Sequence, residues 1–171
     1  MDCEMKNLPM PRFDENKELH NYLLKYCRLR EGEVWNDPNG KHKVGCLDAT
    51  NFSHIKELIR EEKATAAIHD PPYNQIVFEQ TNPDVFIRWC KKWIETTDFA
   101  LAENSSLYIW LGADQFNGFQ PLPDFMIMMR EIPFKPRSFI TMRNQRGYGT
   151  QKNWMSVRQE LLYYIKGQPT F

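Results

Sequence analysis

Ala66-Ala67-Ile68-His69-Asp70-Pro71-Pro72-Tyr73-Asn74 decides how this chain is read. A short apolar run climbs out of Lys63-Ala64-Thr65 and stops at a carboxylate, two prolines and an aromatic ring. Proline has no N–H for a sheet ladder, so a strand over about Ala64 to His69 must end there. A residue before proline is pushed out of the helical region, which predicts that Asp70 and Pro71 are extended. The result is a stiff arm at the carboxyl end of a buried central strand, the edge where open α/β sheets place their ligands. Asp70 supplies a charged acceptor, Pro71 and Pro72 supply main-chain carbonyls, and Tyr73 supplies a stacking face. A planar base with an exocyclic amine fits such an arm; a rigid turn with a solvated Asp70 is the plainer alternative.

Around this arm lie 171 residues, 42% of them hydrophobic and 26% charged. That balance is globular, and a chain of this size buries a substantial core. No run of 18 or more apolar residues is present, and no basic segment followed by an apolar one opens the chain, so neither a membrane span nor a signal peptide is expected. Cys3, Cys27, Cys46 and Cys90 form no C-x-x-C pair and have no histidine at metal-ligand spacing. Reduced thiols in a cytoplasmic protein are expected, and no metal site. Lys plus Arg and Asp plus Glu both number 22. The local distribution is uneven: Lys135, Arg137, Arg143, Arg146, Lys152 and Arg158 lie between Ile132 and Gln159 with no acidic residue among them. Such asymmetry suits a phosphate backbone.

In chain order, residues 1–13 read as an arm, and Asp14 can cap a helix to about Leu29. Asp37-Pro38-Asn39-Gly40 is a turn between two short extended pieces. A first core strand is expected from about His42 to Leu47, ending at Asp48-Ala49-Thr50. Asn51 or Ser53 then caps a helix to about Glu62, buried along Phe52, Ile55, Leu58 and Ile59. Asn82-Pro83-Asp84 starts the strongest helix, with Phe86, Trp89, Cys90, Trp93 and Ile94 on one face. Leu107 to Leu111 is a continuous apolar strand of the kind buried on both faces. A polar loop over Gln115 to Pro123 precedes a Met-rich, core-filling helix over Phe125 to Arg130. Phe139 to Met142 and Leu161 to Ile165 read as strands joined by a basic loop, Arg143 to Gln159. This succession is an α/β sheet with an antiparallel edge.

Asp48 has two roles open to it: a carboxylate at a strand tip that accepts a ribose hydroxyl or purine amine, or a helix cap. His69 has no Ser, Cys or metal partner in view and reads as a buried or hydrogen-bonded histidine. Glu103 and Glu160 read as strand or helix termini rather than a catalytic pair. Arg146-Gly147-Tyr148-Gly149-Thr150-Gln151-Lys152 interleaves cations with a ring, which suits distorted or single-stranded nucleic acid as well as a plain surface loop. No glycine-rich nucleotide loop is present.

Asp70-Pro71-Pro72-Tyr73 at a strand end resembles the catalytic motif of the S-adenosylmethionine-dependent DNA amino-methyltransferases, which modify adenine N6 or cytosine N4. Val44-Gly45-Cys46-Leu47-Asp48-Ala49 resembles the cofactor-contacting strand of their beta class. Ser105 to Trp110, Ser138 to Asn144, and Trp154 to Gly167 with Glu160 are similar to that class's later strands and DNA-facing loop. The resemblance implies a Rossmann-like methyltransferase sheet that is incomplete here, because the glycine-rich cofactor half would follow Phe171. It divides the chain into an N-terminal arm and helix (1–41) and the catalytic part of a methyltransferase domain (42–171), either half of a longer enzyme or a subunit completed by another chain. Two further strands would stand between the Val44 and Ala66 strands.

By that resemblance Asp70, Pro71, Pro72 and Tyr73 are catalytic, and Asp48, Ala49 and Asp70 contact S-adenosylmethionine. Arg143, Arg146, Tyr148, Lys152 and Arg158 would hold double-stranded DNA with a flipped target base. The implied activity is site-specific adenine-N6 methylation of restriction–modification type, with this piece inactive alone. Cytosine-N4 or RNA methylation, or a non-catalytic nucleic-acid-binding subunit, are the alternatives. Oligomeric state is open, a homodimer included.

Overall fold

The computed structural model describes residues 16–26, 28–72, 82–112, 119–150 and 153–170, with side chains described except at 20, 144–150 and 153–158. The chain divides into two compact units, 1–46 and 47–171.

The first unit holds α1 (Lys17–Leu24), β1 (Val34–Asn36) and β2 (Lys43–Gly45). Asn16 caps α1 by accepting the Leu19 N–H at 3.0 Å. Asp14, expected in that role, lies outside the described residues, and the helix stops about a turn short of the expected end. β1 and β2 pair antiparallel, with Trp35 opposite Val44. The Asp37–Gly40 turn joins them, closed by Gly40 N–H donating to Asp37 O at 2.8 Å, with Gly40 at φ 71°. The strand expected over His42 to Leu47 is therefore a hairpin strand and not a member of the main sheet. Its three residues are half-buried or exposed, too short and too wet for a core strand.

The second unit is built on a four-stranded sheet ordered β3-β4-β6-β5. Its elements are α2 (Phe52–Ile59), β3 (Ala64–His69), α3 (Pro83–Ala100), β4 (Leu101–Trp110), α4 (Leu122–Met128), a 3₁₀ turn (Met129–Glu131), β5 (Lys135–Thr150) and β6 (Asn153–Lys166). β3 and β4 are parallel, joined through α3; β6 runs antiparallel to both β4 and β5. The α/β sheet with an antiparallel edge is as the sequence predicts. Among the described residues β3 stands at its other edge rather than in the centre, and Ala64, Thr65, Ala66 and Ile68 are exposed. Ile68, with no neighbour strand beyond it among the described residues, is 73% exposed.

α3 forms because Asn82 accepts the Asp84 N–H at 2.8 Å and Pro83 occupies the first turn, where its missing N–H costs nothing. Its apolar face buries Phe86, Cys90, Trp93 and Ile94 against Leu107 and Ile109 of β4 and Leu162 and Tyr164 of β6. Phe125, Met128 and Met129 complete that layer, so two of this segment's methionines fill core while Met126 is exposed. The helix is displaced from the expected Phe125–Arg130: it starts at Leu122 and tightens to 3₁₀ at Met129. Burial raises the Cys90 thiol to about 12, which makes it a small inert core residue.

β4 is not buried on both faces. Leu107 and Ile109 are sealed, whereas Tyr108 and Trp110 on the other face are half-buried. Tyr108 stacks flat on Tyr163 of β6, ring centroids 4.5 Å apart, as directly opposed residues can. α2 is capped by Asn51, which accepts from Ser53 and His54 N–H groups. It ends at Ile59 because Arg60 turns to φ 55°, and none of its residues is fully buried. β6 is followed by Gly167, φ 61°, where a Cβ would collide with Asn104 and the Glu103 carbonyl.

Candidate active site

β3 stops at His69, as two following prolines require. His69 is half-buried, with its ring 5.1 Å from that of Trp93. Its Nε2 lies 3.0 Å from the Thr97 hydroxyl oxygen. That hydroxyl also lies 2.7 Å from the Trp93 carbonyl oxygen. A hydroxyl has one proton; given to Trp93 O, it leaves the Thr97 oxygen as acceptor, so His69 donates from Nε2–H. Desolvation lowers the His69 pKa to about 4, which keeps the imidazole neutral at neutral pH.

One residue on, Asp70 is exposed, and its carboxylate has no hydrogen-bond partner among the described residues. Pro71 is buried and Pro72 half-buried, so the arm is anchored immediately beyond a free acceptor. Tyr73 lies outside the described residues.

Asp48 stands in the loop before α2. Its Oδ1 accepts both the N–H and the hydroxyl of Thr50, each at 2.8 Å. These two bonds, the backbone one foremost, hold its carboxyl below the usual range. Its own N–H donates to His54 Nδ1 at 3.1 Å. Asp48 thus shapes a turn, while Asn51 is the helix cap. Oδ2 has no partner among the described residues, which leaves an acceptor suited to a ribose hydroxyl or an adenine amine. The neighbouring Ala49 is exposed, and its carbonyl accepts the Thr96 hydroxyl at 2.6 Å.

The basic stretch is not a loop. β5 continues to Thr150 and β6 begins at Asn153, with Arg143 opposite Arg158, Tyr148 opposite Ser156 and Thr150 opposite Asn153. Register shifts fall on either side of Tyr148: before it the extra residues lie on β5, in the stretch that ends at Gly147, and after it the extra residue lies on β6, opposite Gly149. Lys152 lies outside the described residues, Arg143 is exposed, and Arg146, Tyr148 and Arg158 are placed by backbone alone. β4 last pairs with β6 at Trp110 opposite Leu161, so among the described residues the hairpin beyond that point is a two-stranded ribbon. His69 pairs with Ile109, Ile109 with Leu162, and Leu162 with Phe139. The ribbon therefore leaves the sheet at the same end as Asp70. β6 is two strands from β3, about 10 Å across the sheet. Asp70 and the cationic ribbon thus lie at one end of the sheet; Glu160, buried, lies at the ribbon's root, and Glu103 is exposed in β4.

Sequence reading missed Thr96 and Thr97. Both are buried in the last turns of α3, and both hydroxyls approach the Trp93 carbonyl, Thr96 at 2.9 Å. The available signal was Thr97 four residues after Trp93, a hydroxyl on an otherwise apolar stripe.

The profile of the N6/N4-type DNA methylase family matches residues 64–170. No curated protein matches the chain. Among solved structures, the crystal structure of M1.HpyAVI superposes with a TM-score of 0.47 and 18% identity, over 72% of this chain and 54% of that one. The crystal structure of an M1.HpyAVI–SAM complex does so with a TM-score of 0.47 and 16% identity over the same shares. The chain spans about half the length of the solved structures it matches.

Proposed function

The chain belongs to the DNA methylase family, and from that premise we propose that it carries the catalytic arm of an S-adenosylmethionine-dependent DNA methyltransferase acting on adenine N6. The observation that carries this reading is a carboxylate, Asp70, unbonded among the described residues, on a proline-anchored arm at the end of the sheet from which the basic ribbon projects.

Adenine's amino nitrogen is a poor nucleophile because its lone pair is delocalised into the ring. Asp70 accepts one N–H and the Pro71 carbonyl the other, which draws the nitrogen toward pyramidal geometry and frees the lone pair. The carboxylate also stabilises the positive charge that grows on nitrogen. S-adenosylmethionine, when bound, would supply an electrophilic methyl group and leave as its neutral thioether, with Asp70 positioned to take the proton that the methylated nitrogen gives up. Asp48 would hold it, because the Oδ2 acceptor left open by Thr50 matches a ribose hydroxyl or amine. Duplex DNA hides the amine, so the base must leave the stack, and Tyr73 stacks on it once extruded. Arg143, Arg146, Tyr148, Lys152 and Arg158 bind the flanking backbone. The protein works in the cytoplasm in a restriction–modification role. Among the described residues no helix is long and apolar enough to cross a membrane.

The test is product analysis. Duplex DNA incubated with the complete enzyme and labelled S-adenosylmethionine, then digested to nucleosides, should yield N6-methyladenine. Label in N4-methylcytosine would move the assignment to cytosine, and no label in DNA would overturn it.

A further inference from the structure

Two candidate site segments, Asp48-Ala49 and His69-Asp70, are far apart in sequence, yet each is tied to the same turn of α3. The Thr96 hydroxyl lies 2.6 Å from Ala49 O, and the Thr97 hydroxyl 3.0 Å from His69 Nε2. Both threonines are buried and adjacent in sequence, and both hydroxyls lie within 2.9 Å of the Trp93 carbonyl oxygen. The proton count orders the network. Thr96 donates to Ala49 O, the shorter of its two contacts. Thr97 donates to Trp93 O and accepts from His69 Nε2–H. The helix itself supplies the usual backbone donor to Trp93 O, and that carbonyl has a second lone pair for the hydroxyl.

We propose that Thr96 and Thr97 form a clasp: two positioning residues that fix the Asp48 turn and the Asp70 arm relative to one another, with His69 as the link to the arm. Neither threonine touches substrate; each acts through the residue beside a site carboxylate. Adjacent residues on one helical turn fix the two anchor points rigidly, whereas loops alone would leave their spacing soft. Spacing matters because a reaction between two bound groups loses rate steeply with small misplacement. The clasp deepens the methyltransferase reading and rests on it for its purpose, but its geometry can be tested independently.

The test is nuclear magnetic resonance on the isotope-labelled full chain near neutral pH. Long-range proton–nitrogen correlations should show His69 protonated at Nε2 and bare at Nδ1. Thr97→Val should abolish the Nε2–H hydrogen-bond shift and move the Asp70 amide signal, and Thr97→Ser should restore both. Thr96→Val should move Ala49 and Thr50 amide signals instead, with Thr96→Ser restoring them. His69→Gln, whose amide reaches the Nε2 position, should preserve the Asp70 signal, and the shorter His69→Asn should not. A wild-type His69 protonated at Nδ1, or an Asp70 signal unmoved in Thr97→Val, would overturn the clasp; the wild-type tautomer decides the matter even if a valine variant fails to fold. None of these readings depends on methyl transfer, so loss of the activity assignment and loss of the clasp are separate results.

Discussion

His69 Nε2 and the Thr97 hydroxyl oxygen are 3.0 Å apart, joining the last residue of β3 to the last turns of α3. The strand tip that carries Asp70 is thereby held from inside the core while Asp70 itself faces water. A fixed support with a free acceptor at its end is what a base-gripping arm requires.

That half-buried, neutral imidazole makes stability depend on pH. Its folded-state pKa, lowered from 6.5 to about 4 by desolvation, lies below the unfolded value. Between those values the unfolded chain binds more protons, so stability is full above about pH 6.5 and falls as pH drops toward 4. The shift corresponds to a loss on the order of 3 kcal/mol. Denaturant melts across pH 4 to 7 check this: His69→Gln should flatten the slope relative to wild type.

Core packing under the arm predicts a second cost. Ile109 is fully buried, pairs with His69 and Leu162, and belongs to the face covered by α3. Ile109→Ala should destabilise the fold by about 2–5 kcal/mol, measured by urea unfolding. Ile68→Ala, one residue from Asp70 but exposed, should change stability by less than about 0.5 kcal/mol.

The ribbon predicts salt dependence. Arg143→Glu should weaken duplex binding and flatten the plot of log affinity against log salt, since each phosphate contact released contributes about 0.9 to that slope. An unchanged slope would place the ribbon away from DNA.

Tyr73 predicts a stacking effect. Tyr73→Ala should weaken binding to a duplex carrying an unpaired target base by about 1–3 kcal/mol, with Tyr73→Phe doing less harm. Fluorescence of 2-aminopurine at the target position reads the extrusion directly, and equal signals from wild type and Tyr73→Ala would count against stacking.

Residues with hard stereochemical consequences were legible in the sequence. Asp70-Pro71-Pro72 ended β3 at His69, Asn82-Pro83 started α3, and Asp37 to Gly40 closed the β1–β2 turn. Where tertiary context decides, the sequence misled. Gly147, Gly149 and the scattered cations of 143–159 read as a loop, but β5 runs on to Thr150 and pairs with β6 at Arg143, Tyr148 and Thr150 across two register shifts. Ala64 to Ile68 reads as apolar and buried, yet among the described residues the strand has a neighbour on one side alone, and burial follows neighbours rather than composition. Val44-Gly45 looked like a core strand because its pattern matches one, but its partner is Trp35 across a tight turn. The pairing of Thr97 with His69 spans 28 residues and leaves only a faint trace, a hydroxyl on an apolar helical stripe.

The most direct measurement is methyl transfer from labelled S-adenosylmethionine to an adenine-containing duplex, by the complete enzyme with Asp70 and with Asp70→Ala. The variant should lose transfer while duplex binding stays largely intact. Turnover retained by Asp70→Ala would contradict the assignment of that carboxylate to the amino group.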